Sequence, residues 1–211
     1  GTGKSSECIL ILAEGLSAMS GIVSGLQSGD RNIIGIYPLK GKVLNIRGST
    51  KDIRDNRELA DLIKILGLEI GKKYESMHQI HKQLRYSKIM IMSDQDLDGS
   101  HIKGLCINLF HSMWPSLVHL DGFLSFMNTP ILRATKGKEV KRFYNEGEHA
   151  NWKKTFLNEQ PNGWTLKYFK GLGTSTSSEF KEYFANKKIV DFQYQGEISD
   201  NVVDMVFNKK R

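Results

Sequence analysis

Residues 88–104, KIMIMSDQDLDGSHIKG, decide how the chain is read. An unbroken apolar run of strand type passes directly into three acids at alternate positions, Asp94, Asp96 and Asp98. A continuous apolar run bounded by polar residues suits a strand covered on both faces, as in a parallel sheet. Residues two apart share a face of an extended chain, so Asp94 and Asp96 converge if extended geometry persists beyond the strand. Carboxylates about 6 Å apart, at an effective dielectric near 20, repel by roughly 3 kcal/mol per pair. A cation relieves such a cluster, and a hard divalent ion with oxygen ligands, Mg2+ foremost, suits it.

Four readings of the acids compete. A calcium EF-hand loop opens with the same D-x-D-x-D-G pattern, but its twelfth position requires Glu and counting from Asp94 gives Leu105. A D-x-D-x-T phosphatase needs Thr where Asp98 stands. A polar loop with capping aspartates would explain one D-x-D more readily than three acids closing a buried strand. The fourth reading is a divalent-metal site for phosphoryl chemistry. It gains from Glu14, which ends a second apolar strand, ECILILAEG (residues 7–15), as the acids end KIMIM. Ligand sites in open α/β sheets gather outside the carboxyl ends of the strands. If the two strands are neighbours, Glu14 and Asp94 can share one metal.

Around these strands the pattern alternates. A segment rich in small residues, 17–27, reads as a helix packed closely on the sheet. A strand over 33–37 is expected to halt at Pro38. Leu59, Leu62, Ile63 and Leu66 mark an amphipathic helix stopped by Gly67. Residues 69–87 form a polar excursion, and Ile102, Leu105, Cys106, Leu109 and Met113 make a further helical stripe ended by Pro115. Strand–helix alternation predicts a parallel α/β sheet with right-handed crossovers. Beyond Pro115, FLSFMNTPILRA and KEVKRFYN predict strands about a turn at Gly137, an antiparallel addition. A helix over 149–159 and the strand WTLKYFKG follow, and Thr176 with Glu179 forms a capping box ahead of Phe180, Tyr183 and Phe184.

Composition narrows the class. The 211 residues carry a formal charge of +7, with 39% hydrophobic and 25% charged residues, enough for a substantial core. The basic balance, with a pI near 9.3, favours a polyanionic partner, nucleic acid first. Cys8 and Cys106 lie in separate apolar runs and read as packed thiols of an intracellular protein, not a disulfide. No apolar run reaches bilayer length, so no membrane partner is expected. The opening GTGKS lacks the preceding strand and the earlier glycine of a phosphate loop and reads as linker at a cut end. His78 and His81 lack the further ligands of a zinc site.

Four motifs, AEGLSA, YPLKGKVLNIR, IMIMSDQDLDGSHIKGL and YFKGLGTST, occur in the order and approximate spacing of the TOPRIM region of type IIA DNA topoisomerases. The form resembles the eukaryotic enzyme and its relatives in large DNA viruses, and the likeness covers almost the whole chain. It implies a Rossmann-like parallel sheet flanked by helices, with a linker over 1–6, a TOPRIM core over 7–132 and a strand-rich C-terminal extension over 133–211. It also implies a Mg2+ site, with Mn2+ as a substitute, formed by Glu14, Asp94, Asp96 and Asp98, in which Glu14 and Asp94 bind the catalytic ion, Asp94 and Asp96 reach a second, and Asp98 is the weaker member that orients its neighbours. By the same resemblance Lys40, Lys42, Asn45, Arg47, His101, Lys103 and Lys170 contact DNA. The family commonly has E-G-D-S-A, and here Leu16 replaces that Asp, which puts in question any polar contact the family's Asp makes to DNA or to a drug at the break.

The resemblance further implies a homodimeric parent that cleaves, passes and religates double-stranded DNA with ATP. Its ATPase and tyrosine-bearing cleavage domains would be the neighbours of this region. None of the seven tyrosines stands in the family's cleavage motif, so the chain alone is expected to be inactive. The implied setting is the nucleus, or a cytoplasmic replication site for a viral source. Two other classes stay open: a free-standing two-metal nuclease or phosphohydrolase, and a non-catalytic docking module.

Overall fold

The computed structural model describes residues 3–40, 56–156 and 163–208. Its centre is a five-stranded sheet in the order β2-β1-β3-β4-β8, formed by β1 (Ile9–Glu14), β2 (Ile34–Leu39), β3 (Lys88–Met92), β4 (Leu124–Asn128) and β8 (Lys188–Asp191). The first four strands pair in parallel, and β8 closes the far edge antiparallel to β4. The expected α/β architecture is therefore present, and the two acid-terminated strands are neighbours.

Period-2 alternation in the two central strands builds both cores. Leu10, Leu12, Ile89 and Ile91 face one side, where they meet α2 (Arg57–Leu66), α3 (Met77–Gln83) and α4 (Leu97–Met113) through Leu59, Leu62, Ile80, Leu105 and Phe110. Ile11, Ala13, Met90 and Met92 face the other side, against α1 (Gly15–Gly25) and α7 (Ser177–Ala185). The small residues of α1 serve helix-on-helix contact: a side chain at Gly21 or Gly25 would overlap Phe180 of α7.

The second unit is an antiparallel sheet, β6-β5-β7, made of β5 (Leu132–Lys136), β6 (Glu139–Phe143) and β7 (Thr165–Tyr168). Gly137 turns β5 into β6 at a φ of 58°, a conformation that favours glycine. With α6 (Glu146–Lys154) the sheet closes a small core of Leu132, Ala134, Phe143 and Trp152.

Several boundaries differ from the sequence expectation. Strand β2 runs through Pro38 to Leu39 because it is the sheet edge, where a missing N–H breaks no ladder bond. Leu124–Asn128 joins the parallel sheet, so the antiparallel pair begins only at Leu132. The polar excursion contains α3, capped by Ser76. The short helix α5 (Pro115–Val118), strand β8 and helix α8 (Glu197–Phe207) had no sequence expectation.

Glu179 ties the second sheet to the first. It is 2% exposed, and its carboxylate accepts from Lys167 Nζ on β7 at 2.8 and 2.9 Å and pairs with Arg133 on β5 at 3.1 Å. It also accepts from the Thr176 amide, completing the expected capping box. Burial alone would raise its pKa, but these donors hold it below the ordinary value. Glu179→Ala leaves two cations facing a void and is expected to cost about 3 kcal/mol in urea unfolding at neutral pH. Because the folded pKa is depressed, the carboxylate's contribution is complete above the ordinary value of 4.5 and is lost as pH falls through the folded pKa. The wild-type advantage over Glu179→Ala should shrink accordingly in acid.

Candidate metal and phosphate site

Glu14 is the last residue of β1, and Gly15 behind it adopts a φ of 86°, so the chain turns sharply from strand into α1. That turn leaves the Glu14 side chain at the carboxyl edge of the sheet. Asp94 follows β3 by two residues, and the parallel register Ala13↔Met92 brings the two ends together. Their contact is explicit: Glu14 Oε2 accepts the Asp94 backbone N–H at 2.9 Å.

The other two aspartates take different positions. Extended geometry ends before α4, so Asp96 becomes its N-cap and accepts the Gly99 amide at 2.7 Å. Asp98 lies in the first helical turn. Asp94 and Asp96 therefore do not share a strand face. Among the described residues no group of three or more His, Cys, Asp or Glu side chains converges as a ready-made metal cage. Glu14 and Asp94 are the pair that the fold couples directly.

The electrostatics still point to a cation. Burial raises the pKa of Glu14, the Asp94 amide opposes the rise, and repulsion from Asp94, Asp96 and Asp98 adds to it. Four acids near one another, all with hard oxygen donors, fit a divalent ion of the Mg2+ class in chemical type. Glu14, Asp94 and Asp96 would hold it, through carboxylates whose neighbours are mostly backbone.

Lys103, half-buried on α4, has its pKa lowered by burial and supported by Glu14. Lys40 follows Leu39, the register partner of Glu14, and is exposed at the same sheet end. His101 is exposed on α4. Lys42, Asn45 and Arg47 lie outside the described residues.

A cleft of about 840 Å³ opens beside Asp94 and Asp96, between their loop and the second sheet. Lys170 lines it, together with Tyr144, His149, Lys153 and Tyr168, none of which carried a sequence signal. Gln95 Nε2 and His149 Nε2, on residues lining this cleft, are buried without a hydrogen-bond partner among the described residues. Leu16, at 67% exposure, and Leu97, at 90%, are exposed leucines close to the acids in sequence.

A second contact on Asp94 comes from far along the chain. The Leu172 amide donates to Asp94 Oδ1 at 2.6 Å, from the KGLGTS turn after β7. A glycine-rich turn at a helix start suits either phosphate contact or close packing, and here its backbone touches the acid itself.

A parallel sheet whose carboxyl edge gathers acids from two adjacent strands defines a Rossmann-like TOPRIM fold. The chain belongs to that family: the Toprim domain model matches residues 9–127, and that of the C-terminal associated domain of TOPRIM matches 127–211. It is 50% identical over 214 residues to DNA topoisomerase 2 top-2 of Caenorhabditis elegans, covering 100% of this chain and 14% of that protein. It is 49% identical to human DNA topoisomerase 2-beta, covering 99% of this chain and 13% of that protein. The topoisomerase II DNA-binding, cleavage and re-ligation domain of Plasmodium falciparum superposes with a TM-score of 0.90 at 45% identity, over 99% of this chain and 28% of that one. The chain thus spans about one seventh of the length of these curated relatives. The resemblance to type II topoisomerases read from the four motifs is borne out.

Glu14→Gln keeps an acceptor for the Asp94 amide and removes the charge. The raised folded pKa means that ionised Glu14 opposes folding above that pKa, and protonation relieves the penalty as pH falls toward the ordinary 4.5. Metal-free Glu14→Gln should therefore melt above wild type at neutral pH by calorimetry, and the two should converge in acid.

Proposed function

We propose that this chain is the divalent-cation-binding region of a type II DNA topoisomerase, an ATP-dependent homodimer that cleaves, passes and religates double-stranded DNA. The observation that carries the reading is the hydrogen-bonded pairing of Glu14 with Asp94 across adjacent strand ends, eighty residues apart in sequence. A bound Mg2+ or Mn2+ would supply Lewis-acid stabilisation of the negative charge that develops on a phosphate and on a leaving 3′ oxygen. Glu14 and Asp94 would hold this ion, Asp94 and Asp96 would reach a second, and Asp98 would orient its neighbours from the first turn of α4.

The remaining residues bind and orient. Lys40, His101, Lys103 and Lys170 hold the DNA backbone around the acids, joined by Lys42, Asn45 and Arg47. Contacts of this kind fix the register of a duplex without reading its sequence. Lys103 is suited to this work because its ammonium is partly desolvated and strengthens any nearby phosphate contact. The nucleophilic tyrosine and the ATPase come from other parts of the parent protein, so this chain by itself binds cation and DNA without relaxing DNA. Its cellular setting follows that of the DNA, nuclear for a cellular source and cytoplasmic for a large cytoplasmic DNA virus.

The test is titration of the chain with Mn2+, followed by paramagnetic resonance, alongside incubation with supercoiled plasmid. Wild type should bind Mn2+, Asp94→Asn should bind at least tenfold more weakly, and neither should change plasmid topology. Absence of Mn2+ binding by wild type in the presence of DNA would overturn the metal assignment. Divalent-dependent nicking abolished in Asp94→Asn would instead establish a nuclease.

A further inference from the structure

We infer that the KGLGTS turn, residues 170–175, is a positioning element for Asp94, so that the C-terminal region completes the metal site of the core. This inference rests on the proposed cation-binding role of Glu14 and Asp94. Three contacts fix Asp94. Its N–H is held by Glu14 Oε2, its carbonyl lies where any side chain on Gly99 would overlap it, and its carboxylate lies on the 171–172 peptide. The Leu172 N–H engages Oδ1, while a side chain at Gly171 would overlap Oδ2 and place its first carbon 2.9 Å from Cγ. One oxygen bonded and the other packed against Cα sets the plane of the carboxylate relative to Glu14.

The turn is built to hold that position. Leu172 is 2% exposed and packs in the core shared by Ile11, Met90 and Met92, directly beneath the acidic strand ends. Thr174 donates from both its amide and its hydroxyl to the Gly171 carbonyl, at 3.1 and 2.7 Å. Ser175 donates its amide to the Leu172 carbonyl and pairs its hydroxyl with Tyr183. The Lys167–Glu179 ion pair joins the strand before the turn to the helix after it, and the Phe169 amide bonds the Ile131 carbonyl. A displacement of the second sheet is therefore delivered to Asp94 through the 171–172 peptide.

Gly171 is required for contact and not for conformation. Its φ of 172° is extended backbone open to any residue, so a methyl group there acts only by displacing the carboxylate. Gly173 is the internal control, since a side-chain carbon there would meet Ser17 Cβ at an ordinary 3.6 Å. Residues that orient a metal ligand without touching the metal typically change affinity by about 10–100-fold when altered.

The experiment is Mn2+ titration of the whole chain carrying Gly171→Ala or Gly173→Ala, with the Leu172 amide followed by 15N NMR. Gly171→Ala should weaken Mn2+ binding at least tenfold and shift the Leu172 amide, while its melting curve stays cooperative. Gly173→Ala should match wild type in both readouts. Equal Mn2+ affinity in Gly171→Ala and wild type would overturn the inference. Should Gly171→Ala fail to fold, Asp94→Asn decides: loss of the ionised acceptor should move the Leu172 amide upfield, and an unmoved resonance would overturn the clamp. A wild type that does not bind Mn2+ would remove the cation from the proposed function and the positioning role with it, whereas an Asp94-dependent Leu172 resonance would show the clamp itself intact.

Discussion

Parallel pairing of β1 with β3 is the constraint on which the rest depends. These strands occupy the middle of the sheet, and their alternating side chains supply the floor of both cores. Their fixed register sets Glu14 beside the chain leaving β3, at the edge where carboxyl ends of parallel strands leave a crevice. A slip of one residue would exchange Leu10 and Leu12 for Ile11 and Ala13 on each face and would carry Glu14 away from Asp94. Hydrophobic burial therefore holds the acids together against their mutual repulsion. Burial of Glu14, with repulsion from the three aspartates adding to it, raises its proton affinity.

The same pairing explains how much of the molecule was legible in the sequence. Buried parallel strands read as continuous apolar runs, so ILILAE and KIMIM stood out, and each ended on an acid. Helix α2 was equally plain, since its Leu59–Leu62–Leu66 face repeats at helical spacing and Gly67 adopts the left-handed C-cap. Elements whose stability comes from tertiary contact gave little signal. Every residue of β8 is exposed, and the strand exists because β4 offers it an edge. Helix α3 buries only Ile80, and α8 sinks Val203 and Phe207 against α4 while Ile198, Val202 and Met205 remain exposed.

At the site, identity was readable and geometry was not. Alternation of Asp94, Asp96 and Asp98 suggests one face only while the backbone remains extended. The chain instead needs a cap for the four free amides opening α4, and Asp96 takes that position. Local helix capping thus outweighs the strand-based expectation. The 171–172 peptide could not be placed from the sequence because its partner lies seventy-eight residues earlier. Its one trace is a glycine pair in KGLGTS, which equally suits any tight turn.

The distribution of contacts on Asp94 ties the two matched family regions into a single chemical unit. Residues 9–127 contribute the acids, and residues 127–211 contribute the peptide that orients one of them. A carboxylate at the end of a buried strand, followed at once by a helix, has free rotation about its side chain and no neighbour of its own to stop it. Backbone amides are suited to this restraint because they add no charge that would compete with a cation. They also move only with the fold that carries them. Buried Glu179, held by Lys167 and Arg133, fixes that fold from the opposite side of the turn. The ion pair and the acidic site are thus two ends of one rigid connection: one buried carboxylate neutralised by lysine and arginine, the other oriented by a backbone amide with no ion pair among the described residues.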